Sequence, residues 1–113
     1  MVVRNVPDGD ERDKDVANAI RYAVDNGAKI INMSFGKGFS PDKEAVWEAI
    51  KYADKKGVLM FHAAGNDDKN LDLEPNFPTN FMPDSYDTMA ENWITIGAST
   101  RYNDALKASF SNF

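Results

Sequence analysis

Val58-Leu59-Met60-Phe61-His62-Ala63-Ala64-Gly65-Asn66 decides the fold of this chain. An apolar run of single-strand length passes straight into two small residues, a glycine and an asparagine. Small residues at a strand's exit let another backbone or a ligand approach closely, and the asparagine puts a neutral donor at the turn. Ile30-Ile31-Asn32-Met33-Ser34-Phe35-Gly36 has the same grammar: apolar run, small polar residue, glycine. Two such turns in one short α/β unit point to a site rather than to two ordinary loops.

Helical patterns flank these runs. Val16, Ala19, Ile20, Ala23 and Val24 recur at helical spacing and predict a helix over 13–26, capped by Asp13 or Asp15 and stopped at Asn26-Gly27. Val46, Ala49, Ile50 and Ala53 predict a second, with Ser40 as N-cap, Pro41 at the first helical position, Asp42 near the positive end and Gly57 beyond the last turn. The strands between them are read as 29–33, apolar enough to be covered on both faces, and 58–63.

Further out, residues 1–6 read as a short strand closed by a turn at Pro7-Asp8-Gly9-Asp10. Residues 93–98 read as a fourth strand, and 105–110 as a fifth, antiparallel one after a turn at Asn103-Asp104. Residues 67–92, broken by Pro75, Pro78 and Pro83, show no periodicity, and loops of that length inside a compact domain are usually functional. Strand, helix and strand in alternation predict parallel pairing through right-handed crossovers, an α/β fold of three layers (αβα). Ligands of such sheets bind beyond the carboxyl ends of the strands. Ser34, Phe35 and Gly36 are thereby expected beside Ala63, Ala64, Gly65 and Asn66 on one rim.

The chain's 113 residues are enough for one domain with a modest core, and 42% hydrophobic and 12% aromatic residues suit a soluble globular chain. A net charge of −5, with 13 scattered basic residues, argues against nucleic acid as a partner. Lys55-Lys56 reads as a solvated helix end. The absence of cysteine excludes disulfides and thiolate chemistry. No apolar run approaches the roughly 20 residues of a membrane span, and the apolar start before Asp8 is too short for a signal peptide.

His62 is the one histidine, and its place inside an apolar strand reads as a packed side chain. No Gly-x-Ser-x-Gly elbow or Gly-Thr-Ser turn occurs, and Ser34, Ser99, Ser109 and Ser111 lack a nucleophile's context, so no complete triad is expected. Asp67, Asp68, Asp72 and Glu74 could offer oxygens to calcium, but not in EF-hand order, and read as solvated acids. Asp8, Asp10, Glu11, Asp13 and Asp15 read as a turn and a helix start. Gly36-Lys37-Gly38 lacks the spacing of a phosphate loop. Asn66 has two readings: a rigid amide able to stabilise an oxyanion, or a residue chosen for a left-handed turn.

Residues 16–36, followed by 57–66, resemble the subtilisin-like serine proteases. In that family a helix leads into a strand ending Ile-Asn-Met-Ser-x-Gly, and a second helix leads through an apolar strand into Ala-Ala-Gly-Asn. Ile96-Gly97-Ala98 and Ala108-Ser109-Phe110-Ser111-Asn112 look like the segment before the family's nucleophile. The ordered match covers nearly the whole chain. It implies peptide-bond hydrolysis by a serine nucleophile, with a peptide or protein as substrate and no required cofactor. Ser34, Phe35 and Gly36 then match the substrate-pairing strand and one wall of the specificity pocket. Ala63, Ala64 and Gly65 match the other wall, and Asn66 the oxyanion-hole asparagine. His62 falls at a wall position and inherits no catalytic role. Lys37 stands where many relatives have glycine, and the 67–92 loop is longer than in compact relatives.

The family's Asp, His and Gly-Thr-Ser motifs are absent from these 113 residues. The resemblance therefore implies a partial protease domain, a central segment inactive by itself, from a parent that is secreted or periplasmic. The alternative is a non-catalytic α/β interaction module, forming homo-oligomers through exposed strand edges.

Overall fold

Val16, Ala17, Ile20 and Ala23 lie buried along one face of α1 (Asp13–Asp25), and Val46, Trp47, Ala49, Ile50 and Ala53 along one face of α2 (Lys43–Lys55). These stripes bring the two helices together over a sheet of β1 (Ile30–Met33), β2 (Leu59–Ala63) and β3 (Trp93–Ile96). The computed structural model describes residues 1–6, 9–82 and 87–113. All three strands are parallel, in the order β1-β2-β3, which confirms the α/β fold with crossover connections.

The register sets Ile31, Met60 and Trp93 on one rung and, two rungs on along the same face, Met33, His62 and Thr95. Met33 and Met60 join the helix stripes, Val58 and Ala90 in one core. Residues on the sheet's other face stay open: Ile30 is 63%, Ile96 50% and Ile94 42% exposed. The expectation that the first of these strands is covered on both faces thus fails within the described residues, where both helices lie on one side.

Several boundaries move for identifiable reasons. Residues 1–6 form no strand, because no ladder partner runs beside them among the described residues; Val2 is 98% exposed. Pro7 and Asp8 of the expected turn, and Pro83 of the long loop, lie outside the described residues. α1 starts from Arg12 with no side-chain cap. The Asp13 carboxylate turns instead to Lys37 Nζ, 2.7 Å away, and accepts from the Asp42 amide at 2.8 Å. α2 starts at Lys43, after Asp42, since buried Ser40 bonds Asp13 rather than capping the helix. Residues 105–110 form no strand; one antiparallel bridge, Ser99 to Lys107, is all that pairs there.

The 67–92 segment is irregular, as expected, yet tied down. Buried Trp47 Nε1 donates to Thr79 Oγ1 at 3.2 Å. Asp54 Oδ1, at the end of α2, accepts from the Glu91 and Asn92 amides at 3.0 and 2.8 Å, setting the entry to β3.

Candidate functional site

Met33 ends β1 opposite His62, so residues 34–36 leave the sheet beside residues 63–65. The two turns expected on one rim are there together. One interaction spans them, and two more tie them to the long loop. The His62 imidazole donates to the Phe35 carbonyl. Asn76 Nδ2 donates to the Ala63 carbonyl at 3.0 Å. Lys37 and Phe77 exchange both main-chain bonds, at 3.1 and 2.8 Å, which docks the strand exit onto the long loop.

Asn76 stands between the two segments. A Cβ on Gly36 would lie 2.7 Å from Asn76 Oδ1, and one on Gly65 3.3 Å from Asn76 Nδ2. A side chain at position 36 would displace this carboxamide, and at position 65 the positive φ of +107° favours glycine in any case. Ser34 is exposed, and its hydroxyl accepts from Asn32 Nδ2 at 2.8 Å.

His62 is 3% exposed and its ring lies beside Trp93. Burial pushes its pKa down to about 4, against the opposing pull of the Phe35 carbonyl, so the ring is neutral at physiological pH. Its Nε2 has no partner among the described residues, and no serine–histidine pair forms there. Ser111, 1% exposed, is committed elsewhere: its hydroxyl accepts from the Ala98 amide and donates to the Asn112 carbonyl, both at 2.9 Å.

Asn66 is exposed at the rim, and its side chain has no hydrogen-bond partner among the described residues. Positive φ occurs at Gly65 (+107°) and Asp68 (53°), not at Asn66. The left-handed reading of Asn66 is thereby removed, because its neighbours carry that geometry.

Two of the four acids beyond Asn66 are paired with cations. Asp68 pairs with Lys107 at 2.7 Å and Glu74 with Lys69 at 2.9 Å. Among the described residues no three His, Cys, Asp or Glu side chains gather as metal ligands. The sequence reading gave Asn76 no role and Asn112 only a place in the segment 108–112. Both lie in non-periodic stretches, and only the path of the chain brings them to the rim.

Residues 1–113 match the family model of the subtilase family, and the chain belongs to that family. It is 40% identical over 99 residues to a thermophilic serine proteinase of Bacillus sp. (strain AK1), covering 88% of this chain and 21% of that protein. It is 37% identical over 98 residues to thermitase of Thermoactinomyces vulgaris, covering 87% of this chain and 29% of thermitase. The chain thus spans less than a third of the length of these relatives. Among solved structures, a psychrophilic protease superposes with a TM-score of 0.68 at 30% identity, over 93% of this chain and 33% of that one. No helix among the described residues is long and apolar enough to cross a membrane.

Proposed function

We propose that this segment supplies the substrate-binding cleft and the oxyanion donor of a subtilisin-type serine endopeptidase. The observation that carries the proposal is the exposed carboxamide of Asn66, without a partner among the described residues, beside two glycine-lined segments on the carboxyl rim of a parallel sheet. A serine nucleophile from outside these residues attacks the peptide carbonyl. Asn66 Nδ2 donates to the oxygen as negative charge develops, an interaction stronger in the transition state than in the ground state.

Residues 34–36 offer main-chain groups to an extended peptide, in the manner of an added strand. Residues 63–65 face them across the Asn76 carboxamide, and the two segments serve as the walls of the specificity pocket. The reaction needs no metal, and the segment by itself, lacking nucleophile and base, hydrolyses nothing.

The test is Asn66→Ala in enzyme that carries the nucleophile. The loss expected is about 10²–10³ in kcat with a much smaller change in KM, the size known for subtilisin's own donor. An undiminished kcat would refute the assignment. Labelling of the isolated segment by a fluorophosphonate would refute its inactivity.

A further inference from the structure

We infer that Asn112 is the positioning residue of the Asn66 donor, clasping the turn on both sides of it. This rests on the oxyanion reading of Asn66 and assigns what holds that group in place.

The geometry is a four-point grip. Upstream of Asn66, Asn112 Nδ2 donates to the Ala64 carbonyl at 2.9 Å, and the Asn112 main-chain amide donates to the Gly65 carbonyl at 3.1 Å. Downstream, Asn112 Oδ1 accepts from the Asp67 amide at 2.9 Å and the Lys69 amide at 3.0 Å. Every bond goes to backbone, so the grip fixes the path of the chain through Asn66, whatever the neighbouring side chains are.

Asn112 is 4% exposed and does not itself meet a substrate. Its carboxamide is well satisfied: both acceptor sites and one donor are used. The residue is anchored in turn, because its carbonyl accepts from Ser111 Oγ, which also accepts from the Ala98 amide just beyond β3. Gly65 completes the fit. A Cβ there would lie 2.5 Å from Asn112 Nδ2, so the close approach needs glycine.

Among the described residues Asn66 has no bond that holds its side chain, so its direction follows from the backbone that carries it. Oxyanion stabilisation depends on a donor fixed before the charge appears, and a displacement of about 1 Å can cost about 100-fold in rate. A side chain that bonds on both flanks of the donor suits that demand. Alanine removes the side-chain bonds on both flanks at once. Aspartate keeps the acceptor for Asp67 and Lys69 and loses the donor to Ala64.

The experiment is a double-mutant cycle in enzyme that carries the nucleophile: Asn112→Ala, Asn66→Ala and the pair, each checked by thermal melting. Asn112→Ala is expected to lower kcat about 10- to 100-fold with KM changed less than about twofold, and Asn112→Asp to recover part of that loss. In the Asn66→Ala background, Asn112→Ala is expected to cost less than about twofold further. Equal losses in both backgrounds, or a folded Asn112→Ala enzyme with full kcat, would overturn the inference while leaving Asn66 as the donor. Full kcat in Asn66→Ala would remove the oxyanion reading and this one with it. If Asn112→Ala does not fold, Asn112→Asp carries the same cycle with the same criteria.

Discussion

The rings of His62 and Trp93 lie 5.4 Å apart, tilted by 39°, two rungs apart on one face of β2 and β3. The imidazole lies against this indole and bonds the Phe35 carbonyl, and the loop residues Asn76, Thr79 and Asn80 that line the same small pocket carry no charge. A ring so placed excludes a proton that the unfolded chain accepts.

Stability therefore depends on pH through His62. Its folded pKa, about 4, is below the unfolded 6.5. The stabilisation is complete above about pH 6.5 and is lost as pH falls toward 4, about 3 kcal/mol in all. Asp13, whose pKa is lowered despite burial by Lys37, the Asp42 amide and Ser40, adds a loss only at still lower pH. Urea midpoints at pH 7.5 and 4.5 should diverge in the native chain and converge in His62→Gln. An equal slope in both would exclude His62 as the cause.

Lys37 anchors the strand exit to α1. Its ammonium lies 2.7 Å from Asp13 Oδ1 and donates to the Glu11 carbonyl at 2.7 Å, with side chains only 15% (Lys37) and 5% (Asp13) exposed. Lys37→Met leaves a buried carboxylate without its counter-charge and should cost about 3 kcal/mol or more. Asp13→Asn added to it should restore most of the loss. A Lys37→Met protein with an unchanged denaturation midpoint would show that the pair contributes nothing.

Gly36 and Asn76 should be energetically coupled. Alanine at 36 pushes the Asn76 carboxamide off the Ala63 carbonyl, whereas Asn76→Ala makes room for the new methyl group. The two changes together should cost at least about 1 kcal/mol less than their sum. Additive costs in a cycle of four urea titrations would mean that the carboxamide yields freely.

The open sheet face should make the isolated chain associate. Ile30, Ile94 and Ile96 are exposed together with the free edge of β1, and such a surface invites pairing with another copy. Light scattering at rising concentration should show species above 12.6 kDa, and Ile94→Lys with Ile96→Glu should return the monomer. A native chain that stays monomeric at high concentration would dismiss both this and the interaction-module alternative.

Much of the architecture is readable before any coordinates, because burial writes itself into spacing. Ile20, Ile50 and Met60 sit where apolar periodicity demands, and Gly27 and Gly57, both at positive φ, end the helices where expected. What was not readable depended on distant partners. Asp13 looks like a cap until Lys37 arrives to compete for it. Residues 1–6 look like a strand but find no ladder. The two glycine-bearing turns could be placed on one rim from local sequence and strand order. Asn76 and Asn112 could not, since their roles exist only once the chain returns to the rim.

That return also fixes an order of events. Asn112 follows Ala64 by 48 residues, Asp67 by 45 and Lys69 by 43. While the chain is being synthesised, β2 emerges long before the residue that shapes its turn, and closing so long a loop costs entropy before any bond compensates. Until residues 110–113 dock, the Ala64 carbonyl and the Asp67 and Lys69 amides are left to water. The turn that carries Asn66 thus gains these bonds only once residues 110–113 have docked, so a chain cut before them should lose the order of that turn.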